Sequence, residues 1–378
     1  MTRPAVCLVL AIVATGCGVR PIAAISSRST VANTQMDQAI ARGVAFLQSS
    51  QNPDGSWGTG RETRGLEVYS MVPGSHDAFR VATTALCVMA LREAGETAAH
   101  DKGLQYLIHH GEARRDDGAL LYNTWAHIYA LQCLAIEMRH NADPRLRTAA
   151  DWHLDRLARY QTHLGGWNYY DFQAHTQTPS LGPTSFQTAA GLVALDEARR
   201  SGIDVPDRMI ELCVHRLEEM RTPEGAYLYG SDYRYRPQMP ANRARGSVGR
   251  TQACNDALWM WKSPSVDQTV VRAGLDLFFR EHAWIEMGRK RPYPHESWYQ
   301  TSGYYYYFGH YHAARLIARL GDSDLETYGP QLAQVILPHQ EPDGSWWDYA
   351  MWDYHKPYGT AYAVMALLRV RNTSPTLR

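Results

Sequence analysis

The chain has 378 residues, with 38 basic and 38 acidic side chains and a sequence pI near 7.3. This balance argues against a nucleic-acid or anionic-membrane partner, either of which would favour a basic excess. The 23 Tyr and 11 Trp against only 7 Phe suit the wall of a cavity or groove, because each of these rings has an apolar body and a polar tip.

The first 24 residues have the pattern of a secretory signal peptide. Arg3 precedes an apolar run from Ala5 to Thr15, which is too short to cross a membrane as a mature helix. The segment from Ala14 to Cys17 resembles a bacterial lipobox with Ala14 in place of the usual Leu, and cleavage there would leave Cys17 lipid-modified. Cleavage after Ala24 by an ordinary signal peptidase is the alternative, and the lipobox is preferred. We therefore expect an exported, periplasmic protein, with a lipid anchor at Cys17 if the lipobox is used.

Two kinds of helical pattern alternate along the rest of the chain, from about residue 35 to residue 372. The outer kind is amphipathic, with a polar face that carries pairs such as Asp155 and Arg159. The inner kind is rich in small and apolar residues on more than one side, as expected of a buried helix. The outer patterns cover approximately residues 36–50, 97–110, 144–161, 205–220, 266–280 and 324–339.

Each inner pattern contains a Thr that is followed six positions later by a bulky or small pair, usually Ala-Leu. Small residues let such helices crowd around an axis while the outer helices face water. The sequence therefore predicts one all-α domain, a closed double ring of six inner and six outer helices. The repeat positions are Thr84, Thr124, Thr188, Thr251, Thr301 and Thr360, and Thr301 has the degenerate pair Tyr307-Phe308.

The loops after the outer helices carry a second repeat. The octapeptide from Gln51 to Gly58 recurs in the segment from Gln340 to Trp347, and both contain Pro-Asp-Gly-Ser-Trp. Pro-Asp-Gly favours a tight turn, because Pro fixes φ and Gly admits a positive φ. We expect Gln and Trp to tie each outer helix to the next inner helix, with Trp57 and Trp346 buried in neighbouring repeats. Degraded forms run from Gln161 to Trp167 and from Pro223 to Tyr227.

Arg42-Gly43, Phe46-Leu47, Gln51 and Gly55-Ser56-Trp57 together resemble the QW repeat of the squalene/oxidosqualene cyclase and protein prenyltransferase β-subunit superfamily. The repeat pattern extends over nearly the whole chain after the signal. The resemblance implies an α/α-toroid, with six hairpins that close as in the prenyltransferase β-subunit. This fold also serves lyases and thioester domains, so the resemblance implies the fold better than it implies a reaction.

The central residues of three activities on this fold are absent from the sequence. Class II cyclases protonate an alkene with an Asp-Xaa-Asp-Asp motif, whereas Arg115-Asp116-Asp117-Gly118 is a turn with two solvated acids. Prenyltransferases hold zinc with an Asp-Xaa-Cys pair and a distant His, and no Asp-Xaa-Cys occurs. The Gly-Cys-Gly-Glu-Gln thioester motif is also missing. No cofactor is expected, and whether the chain is an enzyme stays open.

Four cysteines follow the signal segment, each in a helical pattern among apolar neighbours. None forms a Cys-Xaa-Xaa-Cys pair or a metal-type cluster. They are interpreted as small buried thiols, and the sequence leaves their disulfide state open. These cysteines are Cys87, Cys133, Cys213 and Cys254.

Loops that precede inner helices carry histidines beside or near carboxylates. If the hairpins close into a ring, all inner helices begin at one mouth, where their unpaired N–H groups favour anionic or polar ligands. A neutral His can act as a base, and an adjacent carboxylate can fix its tautomer. Solvated loop histidines and an open metal site are the alternatives. The candidate catalytic residues are His76, Asp77, His295, Glu296, Asp353 and His355.

The fifth inner pattern is unusually rich in aromatic residues. Tyr304 occupies the position three after the repeat Thr, where the second copy has His127 and the other copies have Cys, Gly or Ala. If this position lines the cavity, these two residues are its functional groups, and core packing is the alternative. Gln187 and Arg250 stand one residue before their repeat Thr, and a buried Arg requires a carboxylate or a ligand anion. The candidate ligand-binding residues are His127, Gln187, Arg250, Tyr299 and Tyr304.

Three functions fit these features. The first is binding of an apolar or amphipathic, isoprenoid-like ligand in an aromatic central cavity, and it is the preferred interpretation. The second is an exported polysaccharide lyase or hydrolase, because Tyr and Trp stack on sugars and Tyr, His and Arg suit proton abstraction beside a uronate. The third is a structural or interaction scaffold that uses the rim of the ring.

Overall fold

The computed structural model describes residues 22–63, 73–113, 123–168, 182–292 and 298–371. Within these ranges the chain forms thirteen α-helices, and its β-type pairing is limited to isolated bridges. The all-α prediction is confirmed. The lipobox and Cys17 lie outside the described residues, and the first helix begins at Ile22, so cleavage after Ala24 would fall in its first turn.

The helices alternate between an outer and an inner ring, as predicted. One short extra helix, α10 (His282–Gly288), lies between α9 and α11. The outer helices are α1 (Ile22–Ser49), α3 (Ala98–His110), α5 (Pro144–Tyr160), α7 (Asp207–Glu219), α9 (Gln268–Arg280) and α12 (Asp322–Ile336). The inner helices are α2 (Pro73–Ala94), α4 (Asn123–Met138), α6 (Ser185–Arg200), α8 (Val248–Met260), α11 (Tyr306–Leu320) and α13 (His355–Val370).

The inner helices form a closed ring. They contact one another in the order α2, α4, α6, α8, α11 and α13, and α13 returns to α2. The first outer helix, α1, packs on α13, so the two ends of the described chain meet. Small residues make this crowding possible: an added Cβ at Gly309 on α11 would lie 2.5 Å from the Cα of Gly249 on α8. The molecule is an α/α-toroid.

The Gln of each repeat loop connects two outer helices. The side-chain amide of Gln51 donates to the carbonyl of Ala99 on α3 at 2.8 Å, and that of Gln340 donates to Ala39 on α1 at 2.9 Å. The same amide nitrogens also donate to Gly55 and Gly344, whose φ angles are +90° and +88°. The Pro-Asp-Gly turns therefore have the glycine conformation that the sequence predicted, and they link consecutive hairpins.

The Trp of each loop is joined to the repeat Thr. The backbone N–H of Trp57 donates to the hydroxyl of Thr84 at 3.1 Å, and Trp346 donates to Thr360 at 2.9 Å. Each indole N–H donates to a carbonyl at the end of the preceding outer helix or just before its end, Leu47 for Trp57 and Ile336 for Trp346. The repeat Thr is thus a structural partner of the loop, and the Trp side chain closes the hairpin.

Trp57 and Trp346, in the first and last repeat loops, are fully buried and lie in neighbouring repeats, as predicted. Trp346 packs on Gly43 of α1, where an added Cβ would lie 2.7 Å from its ring. Trp57 packs in the same way on Gly103 of α3, also at 2.7 Å. The two loops meet directly, because Asp353 accepts a hydrogen bond from Thr59 at 3.4 Å. Gly43 in the sequence motif is therefore required by a close approach to an indole.

The fifth repeat differs from its predicted register. Thr301 lies before the helical turn at Gly303–Tyr305, and its hydroxyl donates to the carbonyl of Arg245 at 3.4 Å. The inner helix α11 begins only at Tyr306. The aromatic run hid the start of the helix, because Tyr and Phe are compatible with a loop, a turn or a buried helix.

Ion pairs join adjacent inner helices near their carboxyl ends. Asp256 on α8 is fully buried and accepts hydrogen bonds from Arg315 at 2.6 Å and from Arg319 at 3.1 Å, both on α11. Its third contact on α11 is the Nδ1 atom of His312, at 3.0 Å. Glu137 on α4 holds Arg92 of α2 in a similar pair. These ion pairs link adjacent inner helices at the end of the ring opposite the helix N-termini.

The four cysteines are buried and free, which agrees with the interpretation as small packed thiols. Burial raises the pKa of the Cys213 thiol to about 12, so this group is not a nucleophile at neutral pH. Within the described ranges, no helix combines the length and the hydropathy that a membrane span requires.

Candidate functional site

A central cavity lies at the N-terminal end of the inner ring. The volume of this cavity is about 120 Å³. Five inner helices contribute to its wall, and the side chains named below include no charged group. They are Phe79, Ala82, Thr83, Leu86, Trp125, Tyr129, Phe186, Tyr304, Tyr305, Phe308, Met351, Tyr358 and Tyr362.

The aromatic rings of this wall pack on one another. Trp125 is stacked on Tyr129, with ring centroids 5.3 Å apart and planes within 3°. Phe186 meets Tyr305 edge-on at 5.0 Å. The hydroxyls of Tyr129 and Tyr362 are 2.5 Å apart, so these two phenols satisfy each other across the ring. The result is an apolar wall whose polar atoms are largely paired, which suits a ligand with extended apolar surface.

One buried carboxylate reaches this wall through a tyrosine. Asp348 is fully buried and accepts a hydrogen bond from the hydroxyl of Tyr358 at 2.8 Å. Burial raises the pKa of Asp348 to about 6, although hydrogen bonds from Tyr358 and from backbone N–H groups oppose the shift. Asp348 is not among the residues predicted from the sequence. Its only signal was an Asp directly after the Trp-Trp pair of the last repeat loop.

The candidate catalytic residues predicted before the first and sixth inner helices lie largely within those helices: His76 and Asp77 are near the start of α2, and His355 begins α13. His76 and His355 both contact Trp352. The ring of His76 lies edge-on to that of Trp352, with centroids 4.8 Å apart, and His355 has its Nδ1 atom 2.6 Å from the Trp352 carbonyl. Asp353 forms a salt bridge with Arg61 at 3.1 Å. Asp77 is exposed. These two segments therefore meet, but none of the four residues belongs to the cavity wall.

The chemistry available to His76, Asp353 and His355 is limited. Burial lowers the pKa of His76, with a further lowering by Arg80 against the opposing effect of Asp77, so the imidazole is neutral at pH 7. The carboxylate of Asp353 is engaged with Arg61 and Thr59. His355 is buried against Trp347, at 5.2 Å between ring centroids. His295 and Glu296 lie outside the described residues.

His127 does not line the cavity. Its Nδ1 atom lies 3.0 Å from Nδ1 of His153, and its ring is stacked on Tyr160, both on the outer helix α5. Burial lowers the pKa of His153 to about 3, and burial together with His153 lowers that of His127 well below its ordinary value. The position three after the repeat Thr therefore faces the outer ring, which corrects the geometric assumption made from the sequence.

Arg250 and Gln187 also lie behind the wall. The guanidinium of Arg250 donates to the carbonyls of Gly246 and Ala241, at 3.1 and 2.6 Å. It lies 5.2 Å from the ring centre of Tyr305, which separates it from the cavity. Backbone carbonyls and aromatic faces thus take the place of the expected carboxylate or ligand anion. The amide of Gln187 donates to the hydroxyl of Thr124 at 3.3 Å and joins two inner helices.

The two candidate tyrosines have different surroundings. Tyr304 lines the cavity, and its hydroxyl lies 3.4 Å from that of Tyr229. Tyr304 reaches the cavity wall from the turn Gly303–Tyr305, which precedes α11. Its position therefore does not follow from the repeat register that was predicted from Thr301. Tyr299 packs edge-on against Trp284 at 4.4 Å and accepts a hydrogen bond from Arg245 at 3.5 Å, outside the cavity wall.

The described residues contain no group of three or more His, Cys, Asp or Glu side chains arranged to hold a metal ion. The described wall of the cavity is apolar apart from Thr83 and the tyrosine hydroxyls, and the Asp348 carboxyl lies behind one of these hydroxyls, that of Tyr358.

Comparison with curated proteins finds relatives of one kind. No protein-family model matches the chain. It is 34% identical to a squalene–hopene cyclase of Bradyrhizobium diazoefficiens over 186 residues, which are 43% of this chain and 26% of the relative. It is 31% identical to a probable squalene–hopene cyclase of Sinorhizobium fredii over 210 residues, which are 50% of this chain and 30% of the relative. The aligned part of the chain thus spans less than a third of either relative.

Solved structures share the ring over nearly its full extent. A variant of the type II terpene cyclase MstE from Scytonema, in complex with geranylgeranyl dihydroxybenzoate, has a TM-score of 0.55 at 15% identity and covers 90% of this chain and 99% of its own. Cellobiose 2-epimerase from Spirochaeta thermophila has a TM-score of 0.60 at 12% identity, with coverages of 93% and 99%. An inactive α-1,6-mannanase from Salegentibacter, in complex with a mannotetrose, has a TM-score of 0.53 at 8% identity, with coverages of 89% and 98%. At these identities the likeness shows the fold alone.

Proposed function

Because the chain has the repeats and the α/α-toroid fold of the squalene cyclase and prenyltransferase superfamily, we propose that it binds an apolar or amphipathic, isoprenoid-like ligand in its central cavity. The observation that carries this proposal is the lining of the cavity. Its wall is aromatic and aliphatic, and it includes no charged side chain among the described residues. Burial of apolar ligand surface against such a wall supplies the driving force for binding.

The relatives and neighbours support the same ligand class. The curated relatives are squalene–hopene cyclases, and the MstE complex holds a geranylgeranyl compound. Cyclase chemistry itself is not part of the proposal, because the sequence lacks the Asp-Xaa-Asp-Asp acid. We therefore propose a binding protein first, and the cavity is the site at which any reaction would be sought.

The carbohydrate alternative has support from the epimerase and mannanase folds. Glycoside hydrolysis ordinarily requires a pair of carboxyl groups that flank the scissile bond. The wall of the described cavity offers tyrosines and no such pair. We accordingly prefer the isoprenoid-like ligand, with a polysaccharide as the second candidate for testing.

Filling the cavity tests the proposal. Ala82 on α2 lines the cavity, so the ring of an Ala82→Phe variant would occupy space that the ligand needs. We expect the affinity for farnesol, used as an isoprenoid probe, to fall at least about tenfold, while overpacking costs about 1–3 kcal/mol of stability. Equilibrium dialysis of labelled farnesol against the full chain measures this loss.

Ala45→Phe on the exposed face of α1 is the matched control, and it should leave farnesol binding unchanged. Unaltered binding by a folded Ala82→Phe variant would place the site elsewhere. Tight binding of mannotetraose by the wild-type chain, with none of farnesol, would favour the carbohydrate alternative.

We also propose that the protein is exported and that Cys17 is its first mature residue. The basis is the sequence pattern of residues 1–17. When cells that express the protein are grown with a palmitate analogue, the wild-type protein should become labelled. The Cys17→Ser variant should carry no label. A soluble mature chain that begins near Ile25 would instead support cleavage by an ordinary signal peptidase.

A further inference from the structure

We infer that Asp348 and Tyr358 form the polar end of the ligand site, where they bind the single oxygen atom of an otherwise apolar alcohol or ketone. This inference rests on the proposed function above and adds the polar group of the ligand. It starts from a buried carboxyl group that the repeat architecture does not require, since the corresponding position, two residues after Trp57, is Thr59.

The geometry links the carboxyl group to the cavity through one phenol. Asp348 lies in the loop before α13 and accepts hydrogen bonds from the backbone N–H of Tyr349 at 2.8 Å and of Tyr307 at 3.2 Å. Its third donor is the hydroxyl of Tyr358, a residue of the cavity wall. The first two bonds fix the carboxyl group at the start of α11, and the third connects it to the ligand space.

No cationic side chain pairs with Asp348 among the described residues. The backbone N–H of Lys290 donates to the Asp348 carbonyl, but the ammonium of Lys290 pairs with Glu341 at 2.5 Å. The preceding residue, Arg289, is paired with Glu286 at 2.8 Å. The titratable groups that face the carboxyl from α11 and α13 are the phenols of Tyr307 and Tyr358, whose pKa values burial raises well above the ordinary value. Asp348 is consequently the group that changes charge near neutral pH.

The hydrogen-bonding capacity of Tyr358 depends on that charge. A phenol has one proton to donate and two lone pairs that accept. When Asp348 is ionised, its carboxylate accepts the hydrogen bond of the Tyr358 O–H. Tyr358 then presents only lone pairs to a ligand. A ligand alcohol can donate to them, but a ligand ketone cannot. When Asp348 is protonated, its O–H can donate to the phenol oxygen. The phenol proton is then released from the carboxyl group, and a ligand oxygen can accept it in competition with the more distant carbonyl of Tyr349, at 3.3 Å.

The pKa of Asp348, which burial raises to about 6, sets the pH at which this exchange occurs. Because the folded pKa lies above the ordinary value for Asp, the protonated form predominates below about pH 6 and the ionised form above it. An alcohol is therefore accommodated on both sides of this pH, whereas a ketone is accommodated only on the acidic side. The pair distinguishes the two oxygen types by protonation.

Three probes with related chains test the inference: farnesene as the hydrocarbon, farnesol as the alcohol and farnesylacetone as the ketone. At pH 8 we expect the wild-type chain to bind farnesol about threefold to tenfold more tightly than farnesene, the value of one net hydrogen bond. The affinity for farnesylacetone should rise by a similar factor as the pH falls from 8 to 5. Isothermal titration with the full chain measures all three.

Two variants and one control complete the experiment. Tyr358→Phe should remove the preference for farnesol over farnesene, and Asp348→Asn should remove the pH dependence for the ketone while it keeps an acceptor for the Tyr358 hydroxyl. Tyr328→Phe is the matched control, because it removes a phenol that donates to Asp276 at 2.8 Å on the outer helices. Circular dichroism and the thermal midpoint confirm that each variant is folded.

The outcomes separate this inference from the proposed function. Equal affinity of the wild type for farnesol and farnesene, or an unchanged preference in folded Tyr358→Phe, overturns the inference and leaves the apolar site intact. A ketone affinity that does not change between pH 8 and pH 5 also overturns it. Absence of binding for all three probes overturns the proposed function, and the inference falls with it.

Discussion

Replacing Asp256 with alanine is expected to lower the free energy of unfolding by about 3–5 kcal/mol, because it removes the anion from a buried ion cluster and leaves the cations unpaired. The carboxylate is fully buried between α8 and α11, where Arg315 and Arg319 donate to it and His312 lies within 3.0 Å. Equilibrium unfolding in urea, followed by circular dichroism, measures the change.

The control for Asp256→Ala is Asp155→Ala on the surface of α5. Asp155 pairs with Arg156 and Arg159, but its side chain is 48% exposed, so the expected loss is below about 1 kcal/mol. A loss of that small size in Asp256→Ala would show that the cluster does not stabilise the ring.

The same cluster has a pH dependence of known sign. Burial alone would raise the pKa of Asp256, but Arg315 and His312 outweigh it, and the pKa lies below its ordinary value. A depressed pKa contributes stability that is present above the ordinary pKa of Asp, about 3.9, and is lost as the pH falls through the folded value. The wild-type chain should therefore lose more stability than Asp256→Ala when the pH is lowered from 5 to 2.

Replacing Trp346 with alanine is expected to cost about 3–5 kcal/mol as well, because it leaves a cavity where the last hairpin meets the first helix. The indole is fully buried against Gly43 of α1, and its N–H donates to the carbonyl of Ile336 at 3.1 Å. The variant should unfold at a lower urea concentration, and α1 should become the segment that exchanges its amide hydrogens fastest relative to the wild type.

Trp298→Ala provides the comparison for Trp346→Ala. Trp298 is 79% exposed, so its removal should leave the urea midpoint within error of the wild type. Wild-type hydrogen exchange in α1 of a folded Trp346→Ala variant would contradict the view that this indole closes the ring.

The fold was predictable because its determinants are local and repeated. The loops that follow α1, α5 and α12 each have a Gln, a turn glycine and a Trp, whose partners are one repeat Thr and the ends of nearby helices. Such short-range bonds recur with the repeat, so their residues are visible as a pattern in the sequence. The exception was the fifth repeat, where Thr301 lies outside the inner helix and the aromatic run carries no period of its own.

The site was only partly predictable, and the reason is rotational. A register error or a change of one position turns a helical side chain by about 100°, which is enough to move it from the axis to the outer ring. His127 accordingly faces α5, while Trp125 and Tyr129 on the same helix line the cavity. Tyr304 reaches the wall from a turn whose path the repeat did not predict.

What only the tertiary structure decided is which buried polar groups meet. The sequence determined the α/α-toroid, its six hairpins and the aromatic character of its interior. It did not place Asp348 against Tyr358, or Arg250 behind Tyr305, because those partners come from different segments and have no common spacing. The charge of a buried group depends on its surroundings in three dimensions: burial without a cation raises the pKa of Asp348 to about 6, whereas paired arginines lower that of Asp256.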